Sequence, residues 1–195
     1  DFNTRFAQGL LAWSGFSLSG FSTVSSFFRN ASGISGTGSF SASRCGMGVG
    51  YSGRCWNGSA AVDADGAVLM SASCLGGSGS VGVNAILERE DCSGVSLDWK
   101  KNYAHLNLFG EAAFAGAPAV IAGAKWDPAY RVCAALLLRY YSPDYASTSA
   151  GAARSASKVR DEAGIAAGLQ AKWFGSTFDL ALHPERISGR KNNYE

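Results

Sequence analysis

The sequence predicts an all-β chain: an antiparallel transmembrane β-barrel, an incomplete part of a larger one, entered by an irregular N-terminal plug-like segment. Three observations lead there. Apolar residues recur with period two over stretches of roughly nine to twelve residues, the length of a tilted membrane strand. The expected connections are long at one end of the sheet and short at the other, as in outer-membrane barrels. Four of the five Trp stand beside short connections, where an indole can rest at a membrane–water boundary.

Composition narrows the classes. Seventeen Lys+Arg face 15 Asp+Glu for a net charge of +2, which excludes a strongly basic nucleic-acid binder and leaves any electrostatic patch local. Charged residues are 16%, against roughly 25% in ordinary soluble domains. There are 25 Gly, 31 Ala and 26 Ser, 82 of 195 residues in all, yet aromatics reach 12%, too many for a disordered linker. Mean hydropathy of +0.02 is too low for a helical membrane bundle. The best helical candidate, Leu108 to Trp126, contains Gly110, Glu111, Gly116, Pro118 and Gly123, so helical spanning fails.

The chain reads as a mature piece of something larger. Asp1-Phe2-Asn3-Thr4-Arg5 resembles mid-strand sequence without a basic and then apolar leader, and Lys191-Asn192-Asn193-Tyr194-Glu195 ends without a turn. Cys45, Cys55, Cys74, Cys92 and Cys133 cannot all pair and show no CxxC spacing. Small half-buried thiols are the expectation, with no metal or other cofactor.

Residues 1–37 lack a clean period, as in Gly9-Leu10-Leu11-Ala12-Trp13 and Phe21-Ser22-Thr23-Val24, and are expected to form a plug or loop. Strands fill 38–195. Glycines 46, 48, 50, 76, 77 and 79 belong to strands or turns, since no helix with Lys-Ser/Thr follows to make a phosphate loop. Val81, Val83, Ala85 and Leu87 oppose Gly82, Asn84 and Glu88, and Val95, Leu97 and Trp99 oppose Ser96 and Asp98. Ala104, Leu106 and Leu108 oppose His105, Asn107 and Phe109, with Glu111 on the polar side. Val120, Ala122, Ala124 and Trp126 oppose Ile121, Gly123 and Lys125, and Leu136 and Leu138 oppose Ala135, Leu137 and Arg139. Ile165 and Leu169 oppose Ala166, Gly168 and Gln170, and Phe178, Leu180 and Leu182 oppose Asp179 and His183. The polar face is mostly Gly, Ala, Ser and isolated charges, as expected of a crowded lumen rather than a wetted sheet.

Short turns are expected at Lys100-Lys101-Asn102, Asp127-Pro128-Ala129 and Gly175-Ser176, a reversal at Ala115-Gly116-Ala117, and a long loop from Ser142 to Arg160. Trp56, Trp99, Trp126 and Trp173 then form a membrane-interface girdle, with Tyr140, Tyr141 and Tyr145 as the opposite belt. Glu88, Asp98, His105, Asn107, Glu111, Arg131, Arg139, Gln170 and Asp179 face the lumen as a polar network, an ion-pair lattice that fixes the plug in preference to a solute path.

Five segments carry a resemblance: Gln8-Gly9-Leu10-Leu11-Ala12-Trp13-Ser14-Gly15-Phe16, Arg29-Asn30-Ala31-Ser32-Gly33-Ile34, Phe109-Gly110-Glu111-Ala112-Ala113, Arg139-Tyr140-Tyr141-Ser142-Pro143-Asp144-Tyr145 and Gly164-Ile165-Ala166-Ala167-Gly168-Leu169. Their order resembles outer-membrane β-barrel proteins of anaerobic bacteria known as helix-hairpin-helix domain-containing proteins. The helix-hairpin-helix part and the terminal aromatic of a complete barrel have no counterpart here, and loops near Asp63-Ala64-Asp65-Gly66 and Glu90-Asp91 are shorter. The resemblance implies a barrel in a bacterial outer membrane and no particular chemistry.

The expected function is non-enzymatic: a pore, or a scaffold subunit of an outer-membrane complex. Its partners would be outer-membrane lipids and other outer-membrane or periplasmic proteins, with no nucleic acid. One rival class is a secreted soluble β-sandwich binding module. The other is a barrel-borne hydrolase, which would need His105 and Asn107 near Ser96 or Asp98.

Overall fold

The structure is a computed structural model. It describes residues 10–11, 46–63, 66–87, 93–129, 131–147, 150, 152, 159–173, 176–182 and 185–187. The first strands are β1 (Gly46–Ser52), β2 (Trp56–Asp63), β3 (Val68–Gly76), β4 (Gly79–Leu87) and β5 (Gly94–Asn102). There follow β6 (Leu106–Ala115), β7 (Ala117–Ala129), β8 (Val132–Tyr141), β9 (Glu162–Trp173), β10 (Ser176–Leu182) and β11 (Glu185–Ile187). All lie in one antiparallel sheet, β1 to β10 side by side in chain order with β11 on β9. Leu182 pairs with Ala167 and Glu185 with Gly164, so β11 prolongs β10 along β9 in unbroken register. Among the described residues no pairing joins β1 to β10, and the sheet is open there. The chain is thus all-β and antiparallel, without helix among the described residues. Among the described residues no helix is long and apolar enough to cross a membrane.

Connections at one end are all short: 53–55, 77–78, 103–105, 130–131 and 174–175. At the other end they run from Gly116 alone to the long segment 142–161. Gly116 reverses the chain with φ of +72°, a left-handed backbone that a side chain would strain. Two expected turns move. Lys100, Lys101 and Asn102 belong to β5, and the reversal falls at 103–105, where the Tyr103 N–H donates to the Leu106 carbonyl at 2.7 Å. Ala104 and His105 are therefore turn residues, and the strand begins at Leu106. Asp127, Pro128 and Ala129 lie within β7, whose pairing with β8 slips between Trp126 and Ala129. A bulge of this kind accepts a proline that has no ladder hydrogen to give. Of the 1–37 segment, only Leu10 and Leu11 are among the described residues.

The pleat separates two unequal faces. On one, Met47, Val49, Val62, Met70, Val81, Val83, Val95, Leu97, Val120, Leu136, Leu138, Ile165 and Leu169 are exposed. On the other, Ala61, Leu69, Ile86, Phe109, Ala113, Ile121, Ala135, Leu137 and Ala166 are buried in one cluster with Leu10, Leu11, Tyr145 and Val159. Asn84, Ser96, Glu111, Arg139 and Glu162 are buried on this same face. Large apolar side chains are thus turned outward while charges are held within.

Glycines seat the bulky side chains of both faces. Phe109 lies over its cross-strand partner Gly123, Asp98 over Gly82, Arg139 over Gly164 and, on the outer face, Trp99 over Gly110. A Cβ at Gly123 would come within 2.8 Å of the Phe109 ring, whereas at Gly50 the nearest neighbour is 3.8 Å away. Gly123→Ala is expected to cost about 1–3 kcal/mol by overpacking, and Gly50→Ala to stay within about 0.5 kcal/mol. Urea unfolding of the two variants under the same conditions checks this; equal losses would contradict the seating.

Candidate functional site

The buried face is where polar chemistry collects. Because neighbouring strands pair in register, Asn84 of β4 stands opposite Ser96 of β5, and Asp98 stands between Gly82 and Glu111 of β6. The Asn84 Nδ2 group donates to Ser96 Oγ at 3.2 Å and to Asp98 Oδ1 at 3.0 Å. Glu111, directly across from Asp98, accepts from the Leu10 N–H at 3.1 Å. Facing carboxylates repel, and each here takes a donor of its own.

On the next strands Arg139 Nε meets Glu162 Oε1 at 2.5 Å, with both side chains fully enclosed. A buried pair adds little net stability, but removing one partner strands a charge in a poor dielectric. Gly164 makes room for the guanidinium, with Cζ only 2.9 Å from where a Cβ would lie.

Described residues of the segment after β8, Tyr145, Ala152 and Val159 among them, come back onto this face. Ser142 N–H donates to the Pro118 carbonyl at 3.2 Å and Ala146 N–H to the Ala115 carbonyl at 3.1 Å, fixing the segment to the β6–β7 end. From it Tyr145 Oη donates to the Leu10 carbonyl at 2.6 Å and Ser147 Oγ to the Leu11 carbonyl at 2.7 Å. The Leu10–Leu11 dipeptide is therefore held through its Leu10 N–H and both carbonyls, while its side chains are buried. Glu111, Tyr145 and Ser147 make a latch for a segment of the N-terminal region.

The expected network residues divide. Asp98, Asn107, Glu111, Arg139 and Gln170 lie on the strands, with Glu111 and Arg139 buried and the other three partly so. His105 and Arg131 stand exposed in short turns, because the strands end before them. His105 Nδ1 lies 3.1 Å from the Asp127 carbonyl and is not brought to Ser96, which pairs with Ala113 farther along the sheet. Glu88 lies outside the described residues, as does the side chain of Asp179 in β10. Trp56, Trp99, Trp126 and Trp173 all fall near the short-turn end of their strands. Trp56 and Trp126 are exposed and Trp99 is half-buried, while the Trp173 side chain is outside the described set. The tyrosine belt is corrected: Tyr140 is exposed, but Tyr141 and Tyr145 are buried on the inner face. Cys55 and Cys74 are exposed rather than half-buried, and Cys133 is intermediate; Cys45 and Cys92 lie outside the described residues.

Glu162, Asn84 and Ser147 are site residues that sequence reasoning misses. Tyr141 pairs with Glu162 and Arg139 with Gly164, so Glu162 reaches Arg139 diagonally, a relation fixed only by the register across the long loop. Parity alone places Asn84 on the face of Ser96, and the β4–β5 register sets them opposite each other. No family model, curated protein or solved structure matches the chain.

Burial, reinforced by the Glu111 carboxylate, pushes the Tyr145 hydroxyl above its usual range. The raised folded value means that its contribution is intact below about pH 10, the unfolded value, and is lost as pH climbs from there toward the folded one. Stability is expected to fall above about pH 10, by up to ~1.4 kcal/mol per pH unit for this group. Tyr145→Phe should reduce that slope and cost about 1 kcal/mol at neutral pH; urea midpoints across an alkaline series check both. Separately, Glu162→Ala should destabilise by about 3–5 kcal/mol, and replacing Arg139 and Glu162 together by apolar residues should cost less than that single change.

Proposed function

We propose that this chain is a membrane-spanning part of a bacterial outer-membrane β-barrel, with a non-enzymatic scaffold role and an interior closed by its N-terminal segment. The observation that carries this reading is the inverted polarity of the sheet. A water-soluble monomer rarely leaves more than a few hundred Å² of contiguous apolar surface uncovered. Here exposed Val, Leu, Ile and Met run from β1 to β9 while Glu111, Arg139 and Glu162 are enclosed. Hydrocarbon is the medium that favours such a face, and it also requires every backbone group to be paired, which the antiparallel meander does between neighbouring strands; its two open edges are what the rest of a larger barrel would pair. Strands β3 to β9 span 9 to 13 residues, the length that crosses a bilayer at a tilt. The resemblance to outer-membrane barrels of anaerobic bacteria points the same way.

Scaffold is preferred to open pore because the inner face is filled by Phe109, Leu137, Tyr141 and the latched Leu10–Leu11. Planar-bilayer recordings of the folded protein are expected to be silent; steady conductance would favour the pore.

Leu97 lies midway along β5, on the outer face, 47% exposed. In a bilayer, Leu97→Arg should cost about 2–4 kcal/mol; on a sheet facing water it should change stability by no more than about 0.5 kcal/mol. Urea unfolding in phospholipid vesicles decides between them. Recovery of the wild-type protein from the soluble fraction without detergent would overturn the membrane reading in favour of a soluble sandwich.

A further inference from the structure

The short-turn end carries a second pattern, separate from the buried face. On the outer row of β5, exposed Val95 and Leu97 are followed by Trp99, then by exposed Lys101. The Lys101 ammonium lies 5.8 Å from the centroid of the exposed Tyr103 ring. The same sequence of layers recurs along the sheet: exposed Trp56 beside Arg54 in the β1–β2 turn, and exposed Trp126 near Arg131 in the β7–β8 turn. Arg54, Lys101 and Arg131 are all exposed, and Asp127, an acid of this end, is already paired with Lys125 at 3.0 Å. Among the described connections the opposite end bears Asp144 and Asp161 against Arg160, so the positive excess of the described turns belongs to one rim.

Apolar rows, then indoles, then cations is the order of a bilayer met from its core outward: acyl chains, the amphipathic boundary, the phosphate layer. We infer that the short-turn rim, through Arg54, Lys101 and Arg131 above Trp56, Trp99 and Trp126, is a docking surface for anionic phospholipid headgroups. The inference rests on the membrane reading above and adds the lipid class and the end of the sheet that meets it. Charge complementarity selects the occupant, since each Lys or Arg near an anionic leaflet raises local affinity about fivefold. An acidic protein would also complement the cations but would gain nothing from the exposed indoles and aliphatic rows beneath them.

The test is Trp fluorescence of the full chain in vesicles containing brominated lipid, which quenches only indoles it touches, with the bromine placed in turn on anionic and on zwitterionic lipid. The expected result is a severalfold preference for anionic lipid in mixed vesicles at low salt, falling toward unity at molar salt, where screening shortens to about 3 Å. The triple variant Arg54→Gln, Lys101→Gln, Arg131→Gln should lose the preference yet remain quenched by both lipids. Equal quenching of the wild type by the two lipids at low salt would overturn the headgroup inference and leave the membrane reading standing. Quenching by neither would remove the membrane reading itself. Salt dependence reads the same interaction in the wild-type chain, so the test holds even if the triple variant fails to fold.

Discussion

A strand's pleat sends successive side chains to opposite faces, and this sheet uses that constraint with the usual assignment reversed. In a sheet facing water the aliphatic row is covered and the polar row is wet. Here Val95 and Leu97 are open while Ser96 between them is buried, and Leu136 and Leu138 are open while Leu137 and Arg139 are enclosed. A one-residue slip of any strand would exchange its two rows. The regular pairing from β1 to β9, broken only by the slip at the end of β7, therefore keeps the polarity in place.

The reversed assignment imposes demands on the interior. Charges that leave water must be paired or hydrogen-bonded, and three contacts serve this interior: Arg139 with Glu162, Asn84 with Asp98, and Glu111 with the Leu10 amide. The small residues noted in the composition acquire a function at this point. Gly82, Gly123 and Gly164 are empty seats across from Asp98, Phe109 and Arg139, and Ala113, Ala119, Ala135 and Ala166 fill the remaining depth without crowding. The Leu10–Leu11 latch joins the same interior through backbone groups.

Much of this is legible in the sequence because alternation is a local property. The outer and inner rows of β4 through β9 follow from counting residues, and so does the gathering of Trp at one end. Two turns fall away from their expected places for a shared reason: Lys100-Lys101-Asn102 and Asp127-Pro128-Ala129 have turn-like composition, but their strands outrun the apolar stretch. Lys101 continues the outer row beyond Trp99, and Pro128 is absorbed by the register slip in β7. An outward belt cannot hold both Tyr140 and Tyr141, because adjacent strand residues must face opposite ways, so parity already contains the answer. The Arg139–Glu162 pair and the Tyr145–Leu10 contact are not legible. Both depend on how the 142–161 segment returns, and the latter spans most of the chain.

The most direct measurement places nitroxide labels singly at Val83, Leu97, Leu138 and Ile165, and at Asn84 and Ser96, in protein reconstituted into phospholipid bilayers. Relaxation by oxygen, which concentrates in hydrocarbon, is compared with relaxation by a water-soluble nickel complex. The first four sites should be open to oxygen and closed to nickel, and the last two should be shielded from both. Nickel access at Leu97 and Leu138 equal to that of a free label would mean that these rows face water, and would contradict the inverted sheet's residence in a membrane.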